Sequence, residues 1–193
     1  MNPYRARIWE FLKSTLPTLD EKAKLLDFGS GDGWFASMMA KELPTASITP
    51  LDVKRREAVL VEPLIHDPSK SLPFGDREFD LVYAVDVLHH CEVPANQLRE
   101  LIRVADKYIL LKDHNYASFA GKATLALLDE LGNKKFGIPS LYQYQQNWNW
   151  ESIFNDAGWV RTEFIHPLRC HVGPLGWATN QLQYLSLYKR QAG

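Results

Sequence analysis

The chain has 193 residues, 46% apolar and 23% charged, with a formal net charge of −1 at pH 7. That length suits one domain with a sizeable core, and the near-neutral charge excludes a basic field that would draw in nucleic acid or an anionic membrane. Two isolated cysteines, Cys91 and Cys170, exclude a disulfide framework or zinc-finger spacing, and no apolar run is long enough to span a membrane.

Residues 4–13 place Ile8, Phe11 and Leu12 at helical spacing. Their start lacks the apolar core of a signal peptide, so a reduced, cytoplasmic location is expected. Residues 24–28 read as a buried first strand, and residues 34–43 as a helix stopped by Pro44. A second strand covers residues 47–53. A third covers 59–65, weakened by Pro63 and so short or at an edge. The five residues 54–58 are too few for a crossover helix, which needs about a dozen residues or more. Residues 79–88 give the strongest strand signal, 94–105 a helix with Pro94 in its first turn, and 107–112 a fifth strand.

Strands alternating with helices predict a three-layer α/β fold around a mostly parallel sheet. After the fifth strand the pattern changes to a helical insertion at about 114–148, with an amphipathic segment over 116–131. A short helix over 150–157 ends at Gly158. Residues 159–168 and 181–189 alternate as a closing strand pair, joined by a loop. The whole chain, 1–193, reads as one domain of seven strands.

The chemistry concentrates after the first strand, at Leu25-Leu26-Asp27-Phe28-Gly29-Ser30-Gly31-Asp32-Gly33-Trp34. An apolar strand feeds a glycine-rich turn that opens a helix, which lets a ligand approach backbone amides closely. A dinucleotide fingerprint would need glycine where Trp34 stands, and no Gly-Lys-Ser/Thr follows for a phosphate loop. Asp52, ending the second strand, suits a ribose diol. A second block, Leu72-Pro73-Phe74 through Phe79-Asp80-Leu81-Val82 to Val87-Leu88-His89-His90, leads along the fourth strand to the edge where open α/β sheets bind ligands.

The D-x-G-x-G-x-G turn, together with the LPF…FD-x-V…VLHH segment, resembles class I S-adenosylmethionine-dependent methyltransferases. The resemblance implies a doubly wound sheet with an antiparallel closing pair, its last strand inserted beside the fifth, and S-adenosyl-L-methionine as cofactor. Asp27 is then expected near the cofactor's ammonium, and Gly29, Ser30, Gly31 and Gly33 beneath it. Asp52 would hold the ribose, Asp67 would lie by the adenine amino group, and Asp86 would line the cofactor side of the site. Asp67 also reads simply as a turn former before Pro68.

Methyl transfer from a sulfonium needs an aligned nucleophile and, for a hydroxyl or thiol, a base. His89 and His90 follow the fourth strand; Asp113, His114 and Asn115 follow the fifth. His89, His90, His114 and Asp113 are the candidate catalytic residues, against a structural role for the His89-His90 pair. A magnesium set of Asp86, Asp113 and Asn115 is interrupted by His114, and no resident metal is expected. The acceptor expected is a small molecule, enclosed by residues 116–150 acting as a lid or as plain packing, with Gln143, Gln145 and Gln146 as neutral contacts. A catalytically silent cofactor-binding module and, behind it, an NAD-linked oxidoreductase are the alternatives.

Overall fold

A computed structural model describes residues 2–133 and 141–191, with side chains of 131–133 left aside. In chain order the elements are α1 (Pro3–Thr15), β1 (Lys24–Phe28), α2 (Trp34–Glu42), β2 (Ser47–Asp52), β3 (Leu64–Ile65) and β4 (Phe79–Val85). A 3-10 turn, Leu88–His90, precedes α3 (Pro94–Val104) and β5 (Ala105–Tyr116). Then come α4 (Phe119–Asn133), β6 (Gln145–Gln146), α5 (Glu151–Asp156), β7 (Trp159–Ile165), α6 (Gly173–Thr179) and β8 (Gln183–Arg190). The predicted Gly132–Ser140 linker, with Phe136, lies largely outside the described residues.

The sheet runs β3-β2-β1-β4-β5-β8-β7, with β6 pairing the end of β5. The first five strands are parallel, and β8 inserts antiparallel between β5 and β7. This is the expected doubly wound α/β sheet, extended by the two-residue β6. Alternation along the buried strands assigns residues to two cores. Leu25, Leu81, Tyr83, Leu110 and Leu185 pack under α1 and α2 through Ile8, Leu12 and Met39. Leu26, Val82, Ala84, Ile109 and Tyr188 pack under α3 and α5 through Leu98, Leu101 and Phe154. No helix among the described residues is long and apolar enough to cross a membrane.

Three departures from the expected elements bear on the site. The third strand shrinks to the two residues after Pro63, whose missing N–H cannot join a ladder. The link between β2 and β3 forms no helix and folds back on the glycine turn instead, with Leu60 N–H donating to Asp32 O at 2.7 Å. The fifth strand does not stop at Lys112. Beyond the end of β4 it continues against β8, pairing Asp113 with Tyr184 and His114 with Gln183, so Asp113, His114 and Asn115 lie in the strand rather than after it. Available ladder partners override the weak strand preference of those polar residues. The loop between the closing strands also carries a helix, α6.

Candidate active site

The glycine turn sits at the C-terminal edge of β1, between β2 and β4. Gly29, Gly31 and Gly33 all have left-handed backbones, φ 75°, 62° and 75°. A Cβ on Gly29 would lie 2.1 Å from Val87 Cγ2, and one on Gly33 would lie 2.7 Å from the Val61 carbonyl oxygen. Those two glycines are required by the protein's own packing. Gly31 differs, because its Cβ direction opens onto free space. Gly29 and Ser30 N–H groups both donate to Leu51 O, at 2.8 and 2.9 Å, which ties the turn to β2.

Asp52 reaches back over this turn. Its carboxylate accepts from Gly31 N–H at 2.7 Å, Val53 N–H at 2.7 Å and Lys54 N–H at 3.2 Å. Asp27 is buried beside Tyr83, its cross-strand neighbour, and neither Asp27 Oδ2 nor the Tyr83 hydroxyl reaches hydrogen-bonding geometry. Burial pushes the Asp27 carboxyl up to about 8; Tyr83 draws it back in part, and nearby Asp52 adds to the rise. Ser30 Oγ is a second buried polar atom at the turn without a partner. Such atoms are costly unless something satisfies them, so the turn offers both a cradle and polar groups for a ligand. Asp67 is exposed and accepts from Ser69 N–H at 3.0 Å and Ser69 Oγ–H at 2.7 Å, the turn-forming arrangement.

Asp86 follows β4 with a left-handed backbone, φ 53°. Its carboxylate pairs with the ammonium of Lys112, a fully buried residue of β5, and accepts from Tyr4 OH at 2.9 Å. Lys112 Nζ also donates to Tyr4 OH at 2.7 Å and Gln183 Oε1 at 2.6 Å. Burial alone would raise the Asp86 carboxyl, but Lys112 holds it below the usual range. These bonds, with the Arg5–Asp32 ion pair at 2.6 Å, latch α1 across the edge of the sheet beside the glycine turn.

The histidines cluster next to this ion pair. Asp113, on β5, accepts from Leu88 N–H at 3.0 Å, from His114 N–H at 2.8 Å and from His89 Nδ1 at 2.6 Å. His114 Nδ1 lies 3.2 Å from the same Asp113 oxygen. With its Nδ1–H turned to Asp113, the His114 ring keeps the Nε2 lone pair for other work. Burial opposes charge on His89, but Asp113 outweighs it and draws the ring upward; Asp113 itself is held well below the carboxylate range. Burial, then the positive neighbour His89, pushes His90 down to about 4, and burial with Lys112 lowers His114.

Asp129, on α4, lies 3.7 Å from both His89 Nε2 and His90 Nε2, and accepts from Tyr144 OH at 3.1 Å. The four candidate catalytic residues, His89, His90, His114 and Asp113, are thus brought together, with Tyr144 above them. Tyr4, Lys112 and Asp129 complete the site; of these, Asp129 could have been found from its place four residues after Leu125, on the apolar stripe of its helix. Asn115 is occupied by Trp148 N–H at 3.0 Å, and of the glutamines Gln145 is buried while Gln146 accepts from Tyr116 OH at 3.2 Å.

A strand-edge glycine cradle beneath an acid at the end of β2 defines a Rossmann-like class of nucleotide-cofactor proteins. The family model described as "Methyltransferase domain" matches residues 2–163, and the chain belongs to that family. No curated protein matches it. Among solved structures, an S-adenosylmethionine-dependent methyltransferase from Mesorhizobium loti is 14% identical with a TM-score of 0.69, covering 98% of this chain and 100% of that one. Geranyl diphosphate C-methyltransferase from Streptomyces coelicolor, solved with Mg²⁺, geranyl diphosphate and S-adenosyl-L-homocysteine, is 12% identical with a TM-score of 0.69, covering 97% and 79%. The [4+2]-cyclase SpnF is 16% identical with a TM-score of 0.65, covering 97% and 82%. At these identities the likeness is one of fold.

Proposed function

We propose that the protein transfers a methyl group from S-adenosyl-L-methionine to a small-molecule acceptor. The observation that carries this is the glycine turn: Gly31 opens onto free space, with unpartnered Asp27 Oδ2 and Ser30 Oγ buried beside it. When bound, S-adenosylmethionine supplies a methyl group already activated on a sulfonium. The chain's own tasks are then to bind, align and accept a proton. Asp27 pairs with the cofactor's ammonium, and the backbone of Gly29, Ser30, Gly31 and Gly33 lies under its methionine part. Asp52, already fixed by three amides, keeps a carboxylate lone pair for the ribose. Asp67 marks the adenine end by position, its carboxylate being engaged by Ser69. Asp86 lines the site through Tyr4 and Lys112.

On the acceptor side, His114 takes the proton at Nε2, with Asp113 fixing its ring through Nδ1. The net charge of −1 and the aromatic roof of Tyr144 favour a small acceptor over a polyanion. A second reading, a module that holds the cofactor without methyl turnover, draws on the likeness in fold to a cyclase. Incubation with S-adenosylmethionine labelled in its methyl group, against a panel of small hydroxyl, amine and thiol metabolites, separates the two. Label in an acceptor, with S-adenosylhomocysteine formed in equal amount, is the expected result. Cofactor binding without label transfer to any of them would favour the silent module.

A further inference from the structure

The methyl-transfer reading gives His90 and Asp129 no task, yet both converge with His89 on one point. We propose that His89 Nε2, His90 Nε2 and Asp129 Oδ1 form a binding site for a divalent transition-metal ion of the zinc type. Both histidine Nε2 atoms lie 3.7 Å from the Asp129 Oδ1 oxygen, and the three residues each bring a ligand atom within 4.8 Å of the others. Ligands bound at about 2.0–2.2 Å to a shared ion stand roughly 3–3.7 Å apart, so the ring atoms need little movement to close on one.

The surroundings are those of a metal site as well. His89 Nδ1 is bonded to Asp113 at 2.6 Å, the carboxylate–histidine arrangement that fixes Nε2 as the ligand atom. Tyr144 OH holds the other Asp129 oxygen at 3.1 Å, which fixes the orientation of the carboxylate. The side chains of His89 and Asp129 are 2% and 8% exposed, while His90 at 18% leaves an approach. Two imidazoles and one carboxylate favour zinc, cobalt or iron(II) over magnesium or calcium, and leave coordination positions open. A second grouping, His89 with Asp113 and His114, also satisfies ligand spacing. There the His89–Asp113 contact of 2.6 Å is closer than two ligands of one ion would stand, and Asp113 is already held by two backbone amides.

The test reads metal binding alone, without methyl donor or acceptor, so its outcome is independent of the methyl-transfer reading. The whole protein is stripped with chelator and titrated with Zn²⁺ by calorimetry and with Co²⁺ by visible absorption. One equivalent is expected to bind, with the Co²⁺ bands of a nitrogen- and oxygen-ligated ion. Asp129→Asn and His90→Ala are each expected to weaken binding at least about 100-fold, and Asp113→Asn about 10–100-fold. Asp129→Asn is nearly isosteric and carries the test if His90→Ala does not fold. Failure of the wild type to bind either ion, or unchanged stoichiometric binding in Asp129→Asn, would overturn the site.

Discussion

His114→Ala is expected to lower the rate of methyl transfer by about 10²–10⁴-fold while leaving the affinity for S-adenosylmethionine unchanged. The ring stands where β5 outruns β4, beside both Asp113 and the Asp86–Lys112 pair. Its Nδ1 is committed to Asp113, which leaves Nε2 as the lone pair available to an acceptor's proton. His114→Gln can still donate a hydrogen bond to Asp113 but cannot take up the proton, so it is expected to be as slow as alanine. Single-turnover rates with the accepted substrate, measured beside cofactor titrations, check both points. A glutamine variant with wild-type turnover would remove His114 from the chemistry.

The second large effect concerns Asp27 and stability. Its carboxyl titrates near 8 in the folded protein, far above the value of about 3.9 for an open chain. Between those values the folded state holds a proton that the unfolded state has released. Its contribution to stability is therefore complete below about pH 4 and is lost as pH rises toward 8, with a limiting slope of about 1.4 kcal/mol per pH unit. The groups facing it are Tyr83 on β4, Asp52 on β2 and Asp32 in the turn; both acids disfavour a second negative charge. Asp27→Asn cannot ionise. Subtracting its denaturation profile from that of the wild type isolates the Asp27 slope from histidines that titrate in the same range. The same variant is expected to lose stabilisation by S-adenosylmethionine, whose ammonium would otherwise draw the carboxylate into its charged form. Parallel pH profiles for the two proteins would contradict this assignment.

Local patterns made β1, the glycine turn and α2 legible, because the strand, its breaker and the helix follow one another within a few residues. The closing strand pair was legible from alternation alone, and its insertion beside β5 from the family resemblance. What sequence reading could not reach depends on distant partners. Asp113, His114 and Asn115 look like loop residues until β8, and for Asn115 β6, supplies their ladder. Tyr4 gains meaning only from Asp86 and Lys112, 82 and 108 residues away. Asp129 reads as a polar interruption of an apolar helix until the histidines after β4 are seen beneath it. Of the carboxylates placed by analogy, Asp52 reaches the glycine turn, Asp67 is engaged by Ser69 and Asp86 by Lys112.

The central claim is that the cradle after Asp27 holds S-adenosylmethionine. Thermal unfolding with and without S-adenosylmethionine, S-adenosylhomocysteine and NAD tests it most directly, since a ligand bound only by the folded state raises the midpoint by mass action. At 100 times its dissociation constant, such a ligand adds about 2.7 kcal/mol. The account predicts stabilisation by both sulfur nucleosides and none by NAD. Stabilisation by NAD alone would contradict it.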